Sequence, residues 1–287
     1  VVSMSHITSV YLSTGQLPGM TEKTSIKYIP CILNSFVFDA VLRCRLTGIN
    51  LSQFIMKDCP ILLPQAVNIL EPLANKINFC DKLFSEELLK CPEITRLALT
   101  PHERLRITIM IDAIVAILFG MTEQDMRLIL ADCDHRDVSA QSSKFNPKGF
   151  WRVDKDRQPE QRQTVLTLIA FLKLEKMIQN CGSQEAGIKE FIALNNGDGW
   201  MLPDQICLAD YGLGHDAQAQ TMQPVASVYG PRFYEWQLHQ SAEEFRKECE
   251  IHAFNLSIGK KNDADLATDT ENKPEETASH QPLLFDL

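Results

Sequence analysis

Leu33, Phe36, Val37, Ala40, Val41 and Cys44 fall at the spacing of one apolar helix face, with Pro30 suited to the first turn and Gly48 to the stop. After that helix, 49–55 reads as a short strand. The run CPILLP, 59–64, reads as extended, because a residue before proline is pushed out of helical geometry. Weaker helices are expected over 65–77 and 85–99, the second interrupted by Pro92. The strongest follows. Thr100, Pro101 and Glu103 make a capping-box start and Gly120 a stop, and Thr122 with Asp125 opens a second helix, so the two form a hairpin.

The stretch 134–149 is polar, contains Asn146-Pro147 and reads as a loop. Beyond it the pattern predicts helices over 159–179, 184–194, near 204–210 and over 234–255, with turns at NNGDGW and GLGHD. From Lys260 the composition turns polar and acidic, which predicts a disordered tail. The expected fold class is α+β, mainly α: a small mixed segment, then helical hairpins, then the tail.

Composition narrows the class. With 287 residues and 45% hydrophobic content the chain can bury one sizeable core or two modest ones. Its longest apolar stretch, 107–119, is broken by Thr108 and Asp112 and falls short of the roughly 20 residues of a bilayer span, so a core helix and no membrane are expected. The opening after Val1 has no signal-peptide pattern, and the start is read as a truncation. Nine cysteines without a CxxC pair indicate neither a disulfide framework nor a zinc site, which points to reduced thiols in a cytoplasm.

The net charge of -9 argues against a chain coated in positive charge for nucleic acid. Its distribution is uneven. The stretch 258–287 holds three lysines against seven acids, whereas 1–57 holds five cations against two acids, so any DNA-facing surface should be local.

One segment, LNSFVFDAVLRCRLTGINLSQFIMKDCPILLP (33–64), strongly resembles part of the target-recognition region of large adenine-specific DNA methyltransferases. The matching positions are Leu33, Asn34, Ser35, Phe38, Asp39, Arg43, Gly48, Leu51, Phe54, Lys57, Pro60 and Pro64; Thr47 and Leu63 depart from the pattern. The resemblance continues through ERLRITIMIDAIVAILFGMTEQDMRLIL (103–130) and GFWRVDKDRQPEQRQTVLTLIAF (149–171). It implies a recognition domain ending at 64, a helical connector over 65–134, a basic loop over 135–158, a C-terminal helical domain over 159–259 and the tail over 260–287.

The resemblance also implies that double-stranded DNA is a partner. Asn34, Ser35, Arg43, Arg45 and Lys57 are candidate DNA contacts, reaching backbone or base edges. A plainer role fits the same residues: Asn34 and Ser35 satisfying local backbone groups, the arginines on a solvated face. The family's glycine-rich loop for S-adenosylmethionine and its Pro-Pro catalytic motif are absent. The chain has no Pro-Pro dipeptide, and Gly197/Gly199 and Gly212/Gly214 read as turns. No cofactor is therefore expected here; S-adenosylmethionine and catalysis belong to an N-terminal methyltransferase domain, a second partner. A non-catalytic helical scaffold that docks DNA or protein is the alternative.

Three other features carry candidate chemistry. Lys144, Lys148 and Arg152 sit among Phe145, Phe150 and Trp151, the make-up of a nucleic-acid contact and equally of a solvated loop. Asp210, Tyr211, His215 and Asp216 form the best acid/base cluster by type, although turn chemistry explains it as well, and Cys133 with His135 is too small a set for zinc. Gln281, Leu284 and Phe285 resemble the peptide by which bacterial DNA-processing proteins dock on the sliding clamp.

Overall fold

The computed structural model describes residues 28–45, 55, 58–62, 68–130, 154, 156–214 and 217–271, without the side chains of 218 and 259–271. Its described part is mostly helical, with one small antiparallel sheet. No described helix is long and apolar enough to cross a membrane.

The expected helix from Pro30 is two: α1 (Ile29–Leu33) and α2 (Phe36–Arg45). The apolar stripe runs in phase through both and hides the break. Asn34 leaves helical geometry at ψ 1°, and its N–H caps the first helix by bonding to Pro30 O. Of the expected strand at 49–55 only Ile55 is described, and its backbone is helical; 49–54 lie outside the described residues. Next comes α3 (Glu71–Asn78), which starts later than expected because Pro72, lacking an N–H, is tolerated only in a first turn. Then α4 (Ser85–Leu89) ends well before Leu99, since the chain turns ahead of Pro92.

The central element is α5 (Pro101–Leu118), capped by Thr100, whose hydroxyl accepts the Glu103 N–H. Ile107, Ile109, Met110, Ile111, Ala113, Ile114, Val115 and Ala116 are all buried, so from Ile109 to Ala116 the helix is wrapped on every side, as an evenly apolar stretch requires. Only half of the expected capping box forms, because the Glu103 side chain turns instead to arginines. The hairpin partner α6 (Glu123–Ile129) has its complete box: Thr122 Oγ1 accepts from the Asp125 N–H, and Asp125 accepts from the Thr122 N–H.

Against α5 lies α7 (Gln163–Cys181), which turns back into α8 (Gln184–Gly197) through Gly182 at φ 72° and the Ser183 cap. The two helices touch closely at Gly187, where a Cβ would stand 2.6 Å from the Ile178 Cα. Beyond them β1 (Gln205–Ile206) pairs antiparallel with β2 (Gln223–Pro224), Gln205 opposite Pro224. The final predicted helix is again divided, into α9 (Glu235–His239) and α10 (Ala242–Glu271). Ser241 makes the division: its hydroxyl accepts the Glu244 N–H while Glu244 takes the Ser241 N–H, a box that restarts the helix. The backbone of α10 stays helical to Glu271, eleven positions beyond the expected start of the tail at 260; 272–287 lie outside the described residues.

One large core joins α1, α2, α3, α5, α6, α7 and α8. A smaller one, with Phe79, Leu88, Cys91, Ile94, Leu97 and Cys249, seats the start of α10.

Candidate nucleic-acid interface

The helix that opens the resembling segment is held at its first turn from two directions. Ser35 Oγ accepts the Phe38 N–H at 3.2 Å, and Asp112 Oδ1, from the middle of α5, accepts the Phe36 N–H at 3.1 Å. Both satisfy N–H groups that a helix leaves without internal partners. The second Asp112 oxygen accepts from Gln163 Nε2 of α7 at 3.0 Å. The carboxyl is buried, with no cation acting on it among the described residues: desolvation pushes its pKa up to about 7, restrained by the bonds from Gln163 and Phe36. The neighbouring Cys31 thiol is pushed up to about 12, chiefly by burial and then by Asp112.

This anchoring fixes the fate of the expected DNA contacts. Ser35 does not reach outward: it is 1% exposed and also donates to Ile32 O at 2.7 Å. Its size and position make it a helix cap. Asn34 is exposed, and its Nδ2 donates to Pro30 O at 2.8 Å. Arg43 pairs with Asp39 one turn back, Nη2 to Oδ2 2.8 Å. Arg45 is exposed in the last turn, where the helix dipole favours a cation. Its charge reaches Cys59, opposing the rise that burial and Asp58 cause in that thiol. The structure thus places Arg43 and Arg45 at the exposed end of a helix whose other end is buried.

Lys57, Lys144, Lys148 and Arg152 lie outside the described residues, as do Gln281, Leu284 and Phe285. So do His215 and Asp216, and Cys133 and His135. Of the acid/base cluster, Tyr211 has its phenol raised by burial and then by Asp210, and its carbonyl accepts from Arg127 Nη2 at 3.1 Å. Among the described residues no group of three His, Cys, Asp or Glu side chains is placed to hold a metal ion.

Sequence reasoning missed the densest polar cluster. Arg106 is fully buried; its Nε and Nη2 bind Glu103 at 2.8 and 2.5 Å, and its Nη1 donates to Asp198 O at 2.6 Å and Trp200 O at 2.7 Å. Arg232 completes the set, Nε to Glu103 Oε2 2.7 Å and Nη1 to Asp198 Oδ2 2.8 Å. Burial works against the Glu103 carboxylate, but hydrogen bonds from Arg106 and Arg232 outweigh it and hold its pKa below the usual range. Lys76 nearby is shifted down by burial and by Arg106, partly offset by Glu103 and Asp198.

The loop that delivers Asp198 and Trp200 explains the NNGDGW sequence. Asn195 and Asn196 take left-handed φ of 53° and 60°, and Asn195 Nδ2 closes the turn on Gly199 O at 2.8 Å. Gly199 has φ 87°, and a Cβ there would meet Met110 Cε at 2.3 Å. Only the Glu103-to-Arg106 spacing was visible locally; its partners lie far along the chain. No protein-family model, curated protein or solved structure matches the chain.

Proposed function

We propose that the chain is the target-recognition and C-terminal helical part of an adenine-specific DNA methyltransferase of a restriction or phage-defence system, acting in the cytoplasm. In this reading S-adenosylmethionine binding and methyl transfer belong to an N-terminal part carrying the glycine-rich and Pro-Pro motifs, and this part selects the duplex. The observation that carries it is that the three resembling blocks meet at one carboxyl. Asp112 of the second block takes the Phe36 N–H of the first and the Gln163 side chain of the third. Blocks recognised separately along the sequence thus form one physical unit, with α2 as its outward arm. Arg43 and Arg45 then contact phosphate at the exposed end of α2, and Ser35 positions the helix.

Selection from randomised duplex DNA by the 287-residue chain is expected to enrich one short sequence. Arg45→Ala should weaken duplex binding severalfold and reduce the salt slope by about 0.9, the loss of one phosphate contact. No enrichment, together with unchanged binding by Arg45→Ala, would count against this reading. The second reading, a docking scaffold without a recognition role, draws on the apolar residues Ile251, Phe254 and Ile258 exposed along α10. Sequencing upstream of the Val1 codon separates the two: an in-frame Pro-Pro motif supports the methyltransferase, its absence the scaffold.

A further inference from the structure

Residues 230–237 are tied to the start of α5 by side chains from both strands of the contact. Thr100 Oγ1 donates to Arg232 O at 2.6 Å, His102 Nδ1 meets Gly230 O at 2.8 Å, Gln237 Nε2 donates to Leu97 O at 3.0 Å and Arg96 Nε donates to Gln237 O at 3.1 Å. On this fixed segment Tyr234 is 44% exposed and Trp236 54% exposed. Large aromatic rings held in water on a well-anchored turn mark a surface built for a partner.

The charges on the same segment indicate which partner. Phe233 is flanked by two guanidinium groups, Arg232 at 4.7 Å and Arg96 at 5.6 Å from the ring centre. Arg232 is balanced by Glu103 and Asp198. Arg96 forms no ion pair among the described residues, and only its Nε is used there. The same corner holds the N-terminal, positive end of the 18-residue α5. Glu235 is the one acid on α9.

We propose that Arg96, Tyr234 and Trp236 form a contact for an unpaired DNA strand, with bases stacked on the two exposed rings and a phosphate on Arg96. Rings plus a cation that tracks the backbone suit single strands, because bases in a duplex already stack on one another. The surface goes beyond the duplex-recognition reading and does not depend on it. It is also distinct from the α2 arm: Thr100 and Asp112 stand 12 positions apart on α5, about 18 Å at ~1.5 Å per residue.

The test is fluorescence titration of the 287-residue chain with a labelled oligothymidine and, separately, with a duplex. Oligothymidine should quench the tryptophan emission, and Trp236→Phe should remove most of the quench. Trp236→Ala should bind about 5- to 150-fold more weakly, the worth of stacking one base. Arg96→Ala should weaken binding and flatten its salt slope by about 0.7. Arg45→Ala should leave oligothymidine binding unchanged, which separates this surface from the duplex reading. Because both aromatic residues are exposed, the variants should keep the wild-type melting temperature, and Trp236→Phe serves as the check if the alanine variant does not. Unchanged oligothymidine affinity in both Trp236→Ala and Arg96→Ala overturns the proposal. So does an absence of oligothymidine binding by the wild-type chain.

Discussion

Asp112 Oδ1 accepts the Phe36 N–H at 3.1 Å, a bond between residues 76 positions apart that ties the first turn of α2 to the middle of α5. Among the described residues, a backbone N–H and one glutamine amide are the donors on a buried carboxyl whose pKa is pushed up to about 7. The folded chain therefore holds a proton that the unfolded chain, with a carboxyl near 3.8, releases. The stabilising contribution is fully present below about pH 4 and is lost as pH rises through about 7.

Asp112→Asn keeps an acceptor for Phe36 and cannot ionise. Its stability relative to wild type should rise by about 2 kcal/mol between pH 5 and pH 8, measured as urea unfolding at both values. Parallel pH profiles for the two proteins would show that Asp112 does not titrate in this window. Asp112→Ala, which leaves the Phe36 N–H without its acceptor, should cost about 1–3 kcal/mol at pH 5 and, having no carboxyl to ionise, about 2 kcal/mol less relative to wild type at pH 8.

Glu103→Gln should be among the most damaging single changes. It leaves two guanidinium groups, one of them fully buried, facing a neutral amide, and breaking a buried pair in this way costs about 3–5 kcal/mol. The loss should be nearly independent of salt. Lys189→Ala breaks an exposed pair with Glu185 and should leave stability nearly unchanged. Denaturant midpoints at low and high salt compare them.

Gly199→Ala should destabilise by about 1–3 kcal/mol, because the residue must hold φ 87° and its new methyl meets Met110. Combining it with Met110→Ala removes the collision but not the backbone cost. Thermal unfolding of Gly199→Ala in the wild-type and Met110→Ala backgrounds should show a smaller penalty in the second.

Ser241→Ala removes the hydroxyl half of the box that restarts the chain as α10. Hydrogen exchange over 242–250 should speed up while α5 and α7 keep their protection. The Glu244 carboxyl is held below its usual range by the Ser241 backbone and hydroxyl, so wild type should lose the same protection as pH falls through that carboxyl's titration. Equal exchange in both proteins would rule out a role for the cap.

The local signals of the sequence were reliable where a helix end depends on residues three apart. Thr122 with Asp125 formed the expected box, and Thr100 with Gly120 bounded the central helix. The Ser241-x-x-Glu244 signal is equally local, but the apolar spacing runs across it and hides it. At Asn34–Ser35 the stripe kept its phase through a true break, so periodicity alone misled. The role of Glu103 was beyond local reading. Its position suits a capping box, but Arg106 one turn on and Arg232 far along the chain bind it more strongly than the Thr100 backbone does. The candidate interface was legible as a helix with arginines at one end; that Ser35 faces inward depends on Asp112, which no short-range pattern reveals.

Glu103 and Arg232 are 129 positions apart, so during synthesis the first emerges well before the second. At about 5–20 residues per second the interval is roughly 6–26 s. For that time the Glu103–Arg106 pair has only its own helix for company, and the core around α5 cannot close over it without burying an incomplete charge set. The start of the central helix should therefore remain a late-sealing seam, open to chaperones or proteases until the 198–232 region arrives.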